Sequence, residues 1–109
     1  MNKIRLIAID PGVVITGFSI LEFYKSQINL LAYGVIKPPK KEKIEQRLMH
    51  LYDEANVIIR KFEPTVMTIE DSFYSKNVKS AFILGQARSS MMLAGAKSNL
   101  DIYHFAPRK

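Results

Sequence analysis

Ile4-Arg5-Leu6-Ile7-Ala8-Ile9-Asp10-Pro11-Gly12 is the segment from which the rest of the chain is read. A short apolar run, interrupted only by Arg5 and closed by Asp-Pro-Gly, predicts a strand over Ile4 to Ile9 buried on both faces and ending in a turn. Asp10 stands where that strand ends, and an acid closing a buried strand is costly unless something uses it. Downstream, Ile15 to Tyr24 and Ile28 to Ile36 are rich in β-branched and aromatic residues. The polar break Lys25-Ser26-Gln27 between them predicts an antiparallel hairpin. Lys37-Pro38-Pro39-Lys40-Lys41 ends it, since proline cannot continue a ladder.

The period then changes. Ile44, Leu48, Leu51, Ala55, Ile58 and Phe62 recur at spacings of three and four, which predicts one apolar stripe on a helix from about Glu42 to Phe62. Glu63-Pro64 stops it. Thr65 to Ile69 reads as a strand that delivers Glu70-Asp71 at its carboxyl end, followed by a polar loop, Ser72 to Lys76, containing Phe73 and Tyr74. Asn77 is suited to cap a second helix running to about Lys97. After a break at Ser98-Asn99, Leu100 to Ala106 reads as a last strand. A hairpin followed by alternating helices and strands predicts an α/β fold, a mixed sheet covered by helices, in one domain over 1–109.

The 109 residues carry 16 Lys+Arg against 10 Asp+Glu, a formal charge of +6, with no cysteine and no tryptophan. That length excludes a two-domain enzyme. Zero cysteine excludes disulfides, thiolate zinc sites and cysteine nucleophiles. No apolar run reaches a membrane span and no secretory core opens the chain, so the expected setting is the cytoplasm, with no membrane partner. The basic excess favours polyanionic partners, although it also serves solubility.

Asp10 and Glu70 are the candidate chemical pair. In open α/β sheets the carboxyl ends of neighbouring strands converge on one crevice. Two carboxylates there, without cysteine or a nearby histidine, suggest an all-oxygen site of the kind Mg²⁺ or Mn²⁺ prefers. Each acid also has a plainer reading, a strand terminus facing water. Gly12, Thr16 and Gly17 shape the turn after Asp10, where backbone can approach a phosphate, or where an ordinary β-turn suffices. Phe73, Tyr74, Lys76 and Lys79 combine aromatic and basic groups beside Glu70 and can stack on unpaired bases. The rings can equally pack on the core while the lysines stay solvated. Lys37, Lys40, Lys41 and Lys43 read as a solvated basic loop. Arg88, inside the second helix, is suited to contact phosphate or to pair with an acid. His50 reads as helix surface and His104 as a satisfied structural imidazole. Met91 and Met92, near Ala94, Gly95 and Ala96, read as core or dimer packing.

Together, several segments resemble the RuvC family of Holliday junction resolvases, which have an RNase H-like fold. They are Ile7-Ala8-Ile9-Asp10-Pro11-Gly12 with Thr16-Gly17, Tyr33-Gly34-Val35-Ile36, Arg47-Leu48, Ile69-Glu70-Asp71-Ser72-Phe73, Lys76-Asn77-Val78-Lys79-Ser80-Ala81 and Leu84-Gly85-Gln86-Ala87-Arg88. The resemblance runs across nearly the whole chain. It implies that Asp10 and Glu70 are catalytic, metal-binding carboxylates for Mg²⁺, with Mn²⁺ as a substitute. It implies that Phe73 probes unpaired bases at the centre of a four-way junction, with Lys76 and Lys79 near the DNA. It implies a homodimer through the 78–97 helix, a branch-migration complex as partner, and symmetric phosphodiester hydrolysis in DNA recombination and repair. Family members usually carry a small polar and a basic residue where Val13-Val14 stand here, and often glycine at Ser19. They also continue beyond a Pro-Arg-like segment through further helices bearing more acids, positions that Asp53 and Asp101 do not occupy. The expectation is a resolvase domain incomplete at its C-terminus and impaired as it stands. Two other readings remain: a non-catalytic module that binds branched DNA, and a fragment of an actin-like ATPase lobe, which shares an Asp-x-Gly hairpin.

Overall fold

In the computed structural model, residues 3–71 and 77–106 are described. The elements follow the order β1 (Ile4–Asp10), β2 (Thr16–Tyr24), β3 (Gln27–Ile36), α1 (Ile44–Phe62), β4 (Val66–Glu70), α2 (Val78–Lys97) and β5 (Asp101–Phe105). The five strands form one sheet in the order β3-β2-β1-β4-β5. β1 pairs antiparallel with β2 and parallel with β4, β2 pairs antiparallel with β3, and β4 pairs parallel with β5. β1 is therefore central, but it is not buried on both faces as its apolar run predicts. Only Ile7 and Ile9 are buried, while Leu6 and Ala8 are half-buried and Ile4 is exposed, because no helix covers that other face. The Lys25-Ser26 connection places Lys25 at φ 56, a positive angle at the first turn position that matches the twist of a two-residue hairpin.

Partners opposite one another in a ladder share a face. Ile7 and Ile9 lie opposite Ile20 and Phe18 on one side, and opposite Met67 and Ile69 on the other. With Leu51, Ala55 and Ile59 of α1 and Ala87, Met91 and Ala94 of α2 they form a single buried core. The helices thus cover one face of the sheet, not both. On the opposite face Ile4, Tyr33, Val35, Tyr103 and Phe105 are exposed, and Asp10 and Glu70 lie at its end.

α1 starts at Ile44, two residues later than the periodicity predicts, because Lys43 before it is extended, at φ −62 and ψ 155. It ends at Glu63 in the left-handed region, φ 52, with the Glu63 N–H donating to the Ile59 carbonyl at 2.8 Å. Asn77 does cap α2, its side chain accepting from the Ser80 N–H at 2.8 Å. Arg5, the one polar residue within the β1 run, donates to the Phe62 carbonyl at 2.7 Å and pairs with Glu22 at 2.7 Å. It fastens the C-terminal end of α1 to the sheet and holds the Glu22 carboxyl below its usual range, chiefly through their hydrogen bond. Among the described residues no helix is long and apolar enough to cross a membrane.

Candidate active site

The two acids meet because of strand register. The β1–β4 pairing runs parallel to Ile9↔Ile69, so Asp10 and Glu70 occupy the next rung on adjacent strands and share the exposed face. Strands about 4.8 Å apart bring two such side chains into contact. They line a shallow cleft of ≈ 330 Å³ with Ala8, Gly17, Ser19 and Phe105. Desolvation raises the Glu70 carboxyl above its ordinary value of 4.5, and the hydrogen bond with Asp10 and the charge of Asp10 raise it further. A like-charged pair set in a cleft is unfavourable unless a proton or a cation relieves it. Hard carboxylate oxygens suit Mg²⁺ or Mn²⁺, and Mg²⁺ is commonly held by one or two carboxylates with water and substrate phosphate completing its shell. Asp10 and Glu70 fit that role. Among the described residues no group of three or more histidines, aspartates and glutamates could hold a metal, so the fit is that of a two-carboxylate site.

The turn after Asp10 is locked from within. The Gly12 N–H donates to Thr16 Oγ1 at 3.0 Å, and the Thr16 hydroxyl donates back to the Gly12 carbonyl at 2.5 Å. Thr16 is fully buried. The Gly12 N–H is thus engaged within the turn. Glycine is needed here for a different reason than a left-handed turn: its φ is not positive, but a Cβ would lie 2.2 Å from the Ile15 carbonyl oxygen. Gly17 lies opposite Asp10 in the ladder, and a Cβ there would come no nearer than 3.8 Å, to the Asp10 Cβ. From the helix layer, Arg47 of α1 donates to the Val13 carbonyl at 2.9 Å and braces the same turn.

Past Glu70 the chain is held a second way. The Asp71 N–H donates to the Phe105 carbonyl at 2.7 Å. The Asp71 carboxylate pairs with Arg88 of α2, and Arg88 also bonds His104 Nδ1 on β5. Of the two roles open to Arg88, pairing with an acid is the one this geometry displays. His104 Nδ1 lies 3.5 Å from Asp71 Oδ1, so His104 belongs to the same cluster. Lys79 is exposed on the first turn of α2. Phe73 and Lys76, with Tyr74, lie outside the described residues. Pairing with an acid for Arg88 and a satisfied imidazole for His104 are both expected from the sequence; Asp71 as that acid and Arg47 as a brace are not, because these contacts join positions far apart in sequence.

Comparison with solved proteins places this architecture with the RNase H-like fold. The structure of Thermus thermophilus RuvC in complex with Holliday junction substrate superposes with a TM-score of 0.85 at 19% identity, over 95% of this chain and 65% of that one. The family model for crossover junction endodeoxyribonuclease RuvC matches residues 6–109. Curated relatives of that name from Fusobacterium nucleatum and Caldicellulosiruptor saccharolyticus are each 39% identical over 103 and 104 residues, 94% of this chain. The chain belongs to the RuvC family of crossover junction endodeoxyribonucleases. It spans 54% and 63% of the length of those two relatives.

Proposed function

We propose that the chain contributes two carboxylates to a divalent-metal-dependent nuclease site acting on four-way DNA junctions. The observation that carries the reading is the contact of Asp10 and Glu70 at adjacent strand ends, with the Glu70 carboxyl raised. A divalent cation bound there would supply an activated water and charge stabilisation at the scissile phosphate. The protein's own part is to hold both carboxylates on one rung of the sheet. A formal charge of +6 suits it to a polyanion, and Lys79 is well placed to meet a DNA strand, with Phe73 and Lys76 as further contacts by resemblance. That the Thermus relative was solved with a Holliday junction supports the choice of substrate, and the cytoplasm is its natural setting.

The homodimer contact we place on α2. Its outward ridge of Val78, Phe82, Gly85, Ser89 and Leu93 is exposed, with Phe82 at 67% and Leu93 at 62%. A Cβ added at Gly85 would meet nothing within 4 Å, so a second helix can approach closely there. Phe82→Asp is expected to weaken self-association at least roughly tenfold, the scale of losing one buried aromatic anchor, as measured by sedimentation equilibrium.

The test of function is cleavage of a synthetic four-way junction with Mg²⁺ or Mn²⁺. It compares the 109-residue chain with the same chain joined to the C-terminal portion of the Caldicellulosiruptor relative. Paired symmetric nicks that vanish with Asp10→Asn are the expected result for the joined protein. Junction binding without nicking by either protein, indifferent to Asp10→Asn, establishes the second reading, a branched-DNA-binding module. That reading draws its support from the two-carboxylate donor set among the described residues. In either case binding should weaken steeply with salt.

A further inference from the structure

We infer that Arg88 is a positioning residue: acting through Asp71, it sets the place of the Glu70 carboxylate, and so links α2 to the metal-binding face of the sheet. The inference rests on the reading of Asp10 and Glu70 as a cation site.

Glu70 is the last residue of β4 and lies opposite Phe105 of β5. Asp71, the next residue, lies past the end of β4. Two bonds hold it. Its N–H is fixed to the Phe105 carbonyl at 2.7 Å, and its carboxylate is fixed to the Arg88 guanidinium. Arg88 is anchored in its turn by His104 Nδ1, which sits one residue before Phe105. A closed loop of contacts results, from Asp71 to Arg88 to His104 and back along β5 to the Asp71 N–H. Both contacts are made by one nitrogen, Arg88 Nη2, whose two N–H bonds are shared between the Asp71 carboxylate and His104 Nδ1.

The side chains of Arg88 and Asp71 are each only 24% exposed, so the pair is partly shielded and its charges compensate one another. An arginine committed this way offers little free charge to a phosphate. Its influence on the site runs through the backbone of Asp71 into Glu70. A carboxylate that binds a cation must be held in a narrow range of orientations, and the groups that orient it matter nearly as much as the ligand itself.

Mn²⁺ binding to the 109-residue chain, followed by isothermal titration calorimetry, tests this without requiring cleavage. The proteins are the wild type, Asp10→Asn, Arg88→Ala, Arg88→Lys, Asp71→Ala and the double variant Asp71→Ala/Arg88→Ala. Junction binding in EDTA is measured beside each by fluorescence anisotropy. Arg88→Ala should weaken Mn²⁺ roughly 10-fold, within the range seen when ligand-orienting groups are removed, and leave junction binding in EDTA unchanged. Arg88→Lys, the variant that best preserves the fold, should show a smaller loss in the same direction. The double variant should bind Mn²⁺ no more weakly than the worse single one, because both act along one path. Unchanged Mn²⁺ affinity in Arg88→Ala and Arg88→Lys, while Asp10→Asn loses it, overturns the positioning role and leaves the cation site standing. Unchanged affinity in Asp10→Asn overturns the cation site itself. Weakened junction binding in EDTA for Arg88→Ala, with Asp71→Ala silent, overturns the inference in favour of direct contact with DNA.

Discussion

Asp10→Asn is expected to abolish the response to Mg²⁺ and Mn²⁺ while making the metal-free chain more stable at neutral pH. The two effects have one origin. Asp10 and Glu70 are in contact, and the Glu70 carboxyl is raised by burial and by Asp10. A carboxyl raised in the folded state holds its proton more tightly there than in the unfolded chain. Its contribution to stability is fully present below the unfolded value near 4.5 and is lost as pH rises through the raised folded value. Mild acidification should therefore raise the melting temperature of the metal-free wild type. Asparagine at position 10 keeps the shape and removes one charge. The melting temperature at pH 7 should rise and its gain on acidification should shrink, though not vanish, since desolvation of Glu70 remains. Added Mn²⁺ should stabilise the wild type by mass action and leave the variant unmoved. For cleavage by the joined protein the loss should exceed the roughly 100-fold upper end seen when groups that merely orient a ligand are removed. Differential scanning fluorimetry at pH 5 and pH 7, with and without metal, reads the stability arms. A variant less stable than wild type at pH 7 without metal would contradict the account.

Much of the fold was legible because its determinants are local. The apolar run of β1, interrupted only by Arg5, indicated a central strand, the polar break at 25–27 indicated a hairpin, and the switch to spacings of three and four located α1. Asn77 announced the start of α2 through its own side-chain oxygen. The acids could be picked out because each follows directly on a buried strand. What escaped was nonlocal. That both helices lie on one face depends on how α1 and α2 pack on the sheet, which periodicity along either helix does not encode. The Asp71–Arg88–His104 cluster joins the ends of β4 and β5 to the middle of α2 and takes shape only once the parallel β4–β5 pairing exists. Gly12 was legible as a turn glycine, but the approach of the Ile15 carbonyl that requires glycine there is visible only once the turn is folded.

That constraint makes Gly12→Ala the substitution expected to disturb the fold most at least chemical cost. The added methyl would stand 2.2 Å from the Ile15 carbonyl oxygen and 3.3 Å from its carbon. The obstacle is backbone, so no side chain can swing aside; the turn itself must open. Opening it separates Gly12 from Thr16, whose two reciprocal bonds of 3.0 and 2.5 Å close the turn. Thr16 is fully buried, and a hydroxyl left without partners there costs about 1–3 kcal/mol. Arg47 loses its acceptor if the Val13 carbonyl shifts, and that bond at 2.9 Å ties the turn to α1. Together these place the expected destabilisation at about 2–4 kcal/mol, in the tail where strain at a special backbone position and loss of buried bonds coincide. Gly17→Ala is the matched control. It lies in the same segment and opposite Asp10, but its nearest contact would be an ordinary 3.8 Å, and alanine in a strand is preferred over glycine by about 0.5–1 kcal/mol. Urea denaturation should therefore show a sharply lower midpoint for Gly12→Ala and an equal or higher one for Gly17→Ala. Because the turn begins at Asp10, Gly12→Ala should also weaken Mn²⁺ binding under conditions where the chain is still folded. Equal midpoints for the two variants would mean that the turn yields without cost, and that Thr16 and Arg47 do not hold Asp10 in place.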